Sequence, residues 1–142
     1  MRRRRLLSTT ALLAGTAGCL SAVTEDGTTR LGDVGIVNRD DERHTVEFRV
    51  RWDGETVHER AYEVAPDDPD DDTAPGVEPE RTWPDTPGQF TVSARLSGGD
   101  WRTVDPAELD YPACLGVQVN VDPSGHLAVL HTTNENVCDS GE

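Results

Sequence analysis

The residues with the means to do chemistry are few, and their spacing limits what they can do. Four histidines stand at His44, His58, His126 and His131. Imidazole suits copper or zinc, and a blue-copper centre also needs a cysteine and a weak axial methionine. The one methionine is Met1. His126 and His131 are separated by an odd number of residues and would face opposite sides of a strand. With a two-residue turn at Asp53-Gly54, His44 would pair near Glu63 and His58 near Arg49, far apart along a hairpin. Asp67, Asp68, Asp70, Asp71 and Asp72 offer oxygen ligands for a hard cation. A calcium loop begun at Asp68 matches at Asp70 and Asp72. It fails at Thr73, where glycine makes the turn, and at Pro79, where a bidentate glutamate is required. A solvated acidic loop is the preferred reading. Ser124-Gly125-His126 and Ser140 lack a nucleophile-elbow context. No catalytic set and no metal set emerges, and no cofactor is expected. Trp52, Trp83 and Trp101 could form a ligand platform, but at least two are expected in the core of so small a domain.

The three cysteines divide by position. Arg2, Arg3, Arg4 and Arg5 precede a short apolar stretch to Ala17. That stretch is too short for a membrane span, which takes about 20 apolar residues. A basic start, a brief apolar run and small residues at its end read as a signal peptide over 1–18. Arg3-Arg4-Arg5-Leu6-Leu7 looks like a twin-arginine export signal. Thr16-Ala17-Gly18-Cys19 resembles a lipobox, with Thr16 where an aliphatic residue is usual. The expectation is a lipid on the Cys19 thiol and a tether over 19–30, the alternative being simple cleavage and release. Outside the membrane Cys114 and Cys138 read as one disulfide. A pair of metal thiolates would need neighbouring ligands at zinc-site spacing, and none is there.

Charge narrows the partners. All 27 acidic residues lie beyond residue 18, whereas four of the 13 basic ones lie before it. Nine arginines against 27 carboxylates leave −18 on residues 19–142, and the chain has no lysine. Nucleic acid is excluded as a partner, because phosphate binding needs a basic patch. Attachment to anionic lipid by charge is excluded likewise. Self-repulsion of this size loosens a compact fold in dilute buffer. Molar salt shortens the Debye length to about 3 Å and screens it. The composition fits a life in concentrated salt.

The elements that must hold these residues read as strands. Leu31 to Asn38 is a first strand. Val46, Phe48, Val50 and Trp52 alternate with Glu47, Arg49 and Arg51, the period of a half-buried strand. Asp53-Gly54 is a hairpin turn, because both central residues of that turn type take positive φ. Thr56 to Val64 returns. Residues 65–80 hold four prolines and many carboxylates and read as an exposed acidic loop. Arg81-Thr82-Trp83 is read as a short edge strand. Phe90 to Leu96, Trp101 to Val104, Leu115 to Val121 and His126 to Thr133 complete the set, with turns at Pro87-Gly88, Ser97-Gly98-Gly99 and Pro123-Ser124-Gly125. About seven short strands at this spacing indicate an all-β, two-sheet antiparallel sandwich over 31–142. With the last turn at 123–125, Cys114 would stand opposite residue 134, and Cys138 reaches it if the tail curls back.

The export signal resembles that of small exported lipoproteins of extremely halophilic archaea. The body resembles one of their immunoglobulin-like domains at Val37-Asn38, His44-Thr45-Val46, Trp52-Asp53-Gly54, Pro87-Gly88-Gln89-Phe90-Thr91-Val92, and the Cys114–Cys138 segment around Val117-Gln118-Val119. The resemblance implies an immunoglobulin-like sandwich on the outer face of the cell membrane and implies no enzymatic activity. Two roles are expected from it: a non-catalytic surface interaction or envelope module, or a ligand- or cation-binding accessory lipoprotein. The partners would be the membrane, through the lipid on Cys19, and a surface protein or ligand whose identity the residues do not give.

Overall fold

Alternating apolar residues produce two facing sheets in the computed structural model, which describes residues 27–139. The signal peptide, Cys19 and most of the expected tether lie outside the described residues. Eight strands form: β1 (Arg30–Asn38), β2 (His44–Trp52), β3 (Glu55–Val64), β4 (Gly76–Val77), β5 (Phe90–Leu96), β6 (Arg102–Val104), β7 (Cys114–Val121) and β8 (Leu127–Thr132). One sheet has the order β4-β1-β7-β8 and the other β3-β2-β5-β6. The fold is a β-sandwich.

The core is what the period-two pattern requires. Leu31, Ile36, Val46, Phe48, Val50, Val92, Leu115, Val119 and Val121 are fully buried between the sheets. Trp52 stacks on Phe90 with centroids 4.9 Å apart, and Trp83 fills the space beside Phe48. Asp53 and Gly54 both have positive φ, 52° and 85°, as the β2–β3 hairpin turn demands.

Five features differ from the sequence expectation. Among the described residues there are eight strands, against about seven expected. β1 and β7 pair in parallel, so the sandwich is not wholly antiparallel. The acidic loop is interrupted by β4, which pairs with Ile36 and Val37 of β1. Arg81–Trp83 forms no strand, although Trp83 is buried. The domain also begins before residue 31. Thr29 is fully buried and bridges Gly88, while Gln89 Nε2 donates to the Gly27 carbonyl at 2.9 Å.

A bulge corrects the β2–β3 register. His58 pairs with Val50 and His44 with Val64, each one residue away from the simple two-residue-turn count. Val57 is the extra residue, since Arg51 pairs with Thr56 while Val50 pairs with His58. Such an insertion exchanges the faces of every later side chain in the strand. It turns His58, Tyr62 and Val64 toward the core.

Candidate functional site

A shallow groove of about 700 Å³ crosses the outer face of the β4-β1-β7-β8 sheet. Gly35 leaves it open, and Gly116, itself buried, lets Val137 close in as its wall. A Cβ at Gly35 would meet only open space, and one at Gly116 would lie 3.0 Å from the Val137 side chain. Gln118 lies beside Gly35 on the floor, with Leu130, Val137 and Arg81 around it. Leu130 is 49% exposed, the one large apolar side chain left that open among the described residues. Arg81 lies 3.6 Å from Asp33 and over the Trp83 ring at 5.8 Å. The groove therefore combines one amide, one guanidinium, the carboxylates of Asp33 and Glu78 and an apolar rim. That set can hold a partner by contact and hydrogen bonds. Its His131 and Thr132 are consecutive on β8 and point to opposite faces, so they do not form a reacting pair.

The wall at Val137 depends on the disulfide. Cys114 and Cys138 are bonded, with Cα atoms 6.1 Å apart. The chain after β8 curls into a 3₁₀ turn, Glu135–Cys138, capped by Asn134, whose side chain accepts from the Asn136 N–H. This return places Cys138 at the start of β7, as the expected pairing required.

His44, His126 and His58 are engaged separately. His44 Nε2 lies 2.7 Å from Asp40 Oδ2. The hydrogen bond from His44 holds the Asp40 carboxyl below the usual carboxylate range, despite the opposing effect of burial. His126 stands 3.8 Å from Asp122. The Asp122 carboxyl is lowered chiefly by the backbone N–H of His126 and also by that of Ser124.

His58 is buried, edge-on to Phe48 and Trp83. Its Nδ1 is 2.8 Å from Thr82 Oγ1, and its Nε2 is 2.8 Å from the Tyr62 hydroxyl. Thr82 Oγ1 donates to the Val57 carbonyl. That hydroxyl's one proton is then used, so Thr82 accepts from Nδ1–H, and the Tyr62 O–H donates to Nε2. The neutral imidazole satisfies every group in the chain. Burial pushes the His58 pKa down, with Arg60 adding to the effect and Glu80 opposing it.

Among the described residues no three His, Cys, Asp or Glu side chains gather in a way that could hold a metal ion. In the acidic loop, the Asp67 N–H donates to the Asp40 carbonyl and the Asp71 N–H to the Asp68 carbonyl, which makes a turn. Trp52 and Trp83 are core residues. Trp101 is half-buried and lies between two arginines, with Arg49 4.1 Å and Arg95 4.5 Å from its ring centroid. Neither this stack nor the groove was expected from the sequence. The outward alternation of Arg49 and Arg51 was a partial signal for the stack.

The chain matches no described protein family and no curated protein.

Proposed function

We propose that this chain is an exported lipoprotein, held on the outer face of the membrane by a lipid on Cys19, and that its sandwich is a non-catalytic surface interaction or envelope module. The observation that carries the reading is Thr16-Ala17-Gly18-Cys19 directly behind the arginine-led apolar stretch. The Cys114–Cys138 bond supports it, because structural disulfides persist in oxidising surroundings outside the cytosol. The engaged state of the reactive side chains supports the non-catalytic part. Two thiols are consumed in the disulfide, and His44 and His58 are held in structural hydrogen bonds.

Cys19→Ser is the test. The variant should leave the membrane fraction or remain unprocessed, as read by fractionation and intact mass. A variant cleaved and membrane-bound like the parent would refute the anchor.

The groove supports a second reading, a ligand- or cation-binding accessory lipoprotein. Titration with divalent cations, followed by tryptophan fluorescence, separates the two. Arg81 lines the groove and lies 5.8 Å from the buried Trp83 ring, which should report an occupant that moves it.

A further inference from the structure

Among the described residues β8 is an edge strand, and it lacks the devices that keep edges apart. Exposed edges are normally protected by charges, prolines, bulges or short length. β3, the edge of the other sheet, carries Glu55, Glu59, Arg60 and Glu63. β4 and β6, the remaining edges, have two and three residues. β8 reads Leu-Ala-Val-Leu-His-Thr over six residues, and its register with β7 runs without a shift. From Pro123 to Asn134 the chain has no Asp, Glu or Arg, in a protein where 28% of residues are charged.

The free side of β8 can be assigned. The β7–β8 turn closes with the Asp122 N–H donating to the His126 carbonyl. Antiparallel alternation then points the backbone groups of Ala128, Leu130 and Thr132 at β7. Those of Leu127, Val129 and His131 point outward. The outer face of the same strand carries Leu130, the exposed apolar residue at the groove rim.

We propose that β8 is the contact through which two copies of this chain join, antiparallel and edge to edge, making one continuous sheet from two four-stranded ones. Charge selects the occupant. Two copies, each at −18 over residues 19–142, repel wherever carboxylates meet. β8 against β8 is the one long-edge self-pairing that brings no carboxylates face to face. A two-fold axis at Val129 pairs Val129 with its own counterpart through the outward N–H and C=O groups. It also sets Leu130 beside Ala128 of the second copy, covering the exposed side chain. This inference does not depend on the anchor: the edge is the same with or without a lipid on Cys19.

The test uses the full chain carrying Cys19→Ser, so that lipid micelles are not counted as dimers. Sedimentation equilibrium in molar KCl should give twice the 15.5 kDa chain mass. Adding Leu130→Asp should return a monomer that still unfolds cooperatively in urea, since this side chain is half exposed, with the midpoint lowered only by the lost association. In parallel, Val129→Cys should cross-link under mild oxidation well above an Ala61→Cys control on β3. Strand partners at a two-fold hydrogen-bonded pair sit about 5.5 Å apart at Cα, within disulfide reach. A monomeric mass with cross-linking no better than the control overturns the proposal. So does a dimer that survives Leu130→Asp, because its contact then lies elsewhere.

Discussion

His58 shows how one buried titratable side chain sets a pH response. Its imidazole is neutral in the hydrogen-bonded chain from Tyr62 to Val57, and its pKa is below the ordinary value of 6.5. In the window between that value and the lower folded one, the unfolded chain binds more protons than the folded chain. Stability is then complete above the ordinary histidine value and falls as pH drops through the window. Protonation of carboxylates relieves repulsion as pH falls and masks part of this. The informative comparison is therefore with His58→Gln, which keeps hydrogen-bonding capacity and cannot titrate. The parent should lose more urea midpoint than the variant between pH 7.5 and pH 5. Equal losses would show that His58 does not carry the response. Asp40 and Asp122 act in the same direction at lower pH, below 3.8, where their folded carboxylates take up protons last.

Two glycines of opposite surroundings make a second test at this scale. A Cβ at Gly88 would lie 2.5 Å from Trp52 Cζ2, in the core beside the Thr29 bridge. Gly88→Ala should cost about 1–3 kcal/mol, as overpacking does. A Cβ at Gly35 meets nothing. Gly35→Ala should gain about 0.5–1 kcal/mol, because glycine in a strand loses more backbone entropy on folding than alanine. Denaturant unfolding of both variants checks the pair. Gly35→Ala also adds bulk to the groove floor and should weaken any ligand seated there.

At the level of elements, the clip formed by Glu135–Cys138 depends on small residues as much as on sulfur. A Cβ on Gly32 would collide with the Val137 carbonyl, and one on Gly116 would press its side chain. The bond closes a loop of sequence separation 24, for which the chain-entropy relation gives about 3.5 kcal/mol. Cys114→Ser with Cys138→Ser should lower the unfolding free energy by about that amount. Mass spectrometry of the parent should find one linked Cys114–Cys138 peptide pair. The hairpin, most of the strands and this loop were legible in the sequence because each is written locally, in alternation, in Asp53-Gly54, or in a countable spacing. The parallel β1–β7 pair was not, since nothing in either strand records the direction of a neighbour far along the chain. Gly76–Val77 is too short to show a period. The bulge at Val57 is a single inserted residue, and missing it put His58 on the wrong partner. The groove was hidden for a related reason: glycine reads as a turn or a weak strand position, while its role here is to leave space.

For the whole molecule the governing quantity is charge. Residues 19–142 carry −18, and four arginine–carboxylate pairs form among the described residues. Two of these, Arg30–Asp85 and Arg60–Glu80, are well exposed on the carboxylate side and contribute little, on the scale of surface pairs generally. Arg49 is committed to the Trp101 ring, and Arg95 is shared between that ring and Glu47. Carboxylates thus far outnumber the arginines that could offset them, and their repulsion is stronger in the compact state than in the expanded chain. The cost should concentrate on the strands, at residues such as Glu59 and Glu63 of β3, which cannot move apart. Asp67 to Asp72 lie in a surface loop and add less. At about 1 M salt the Debye length nears 3 Å, and separated carboxylates stop sensing each other. The urea midpoint, read by tryptophan fluorescence, should therefore rise markedly from dilute buffer to molar KCl, with Trp52 and Trp83 reporting the core. The disulfide limits the loss at low salt, because the β7 start and the tail stay joined when the sheets loosen. Replacing Glu59 and Glu63 by Gln should raise the low-salt midpoint and leave the high-salt one nearly unchanged. Equal midpoints for the parent in the two buffers would mean that repulsion does not limit this fold.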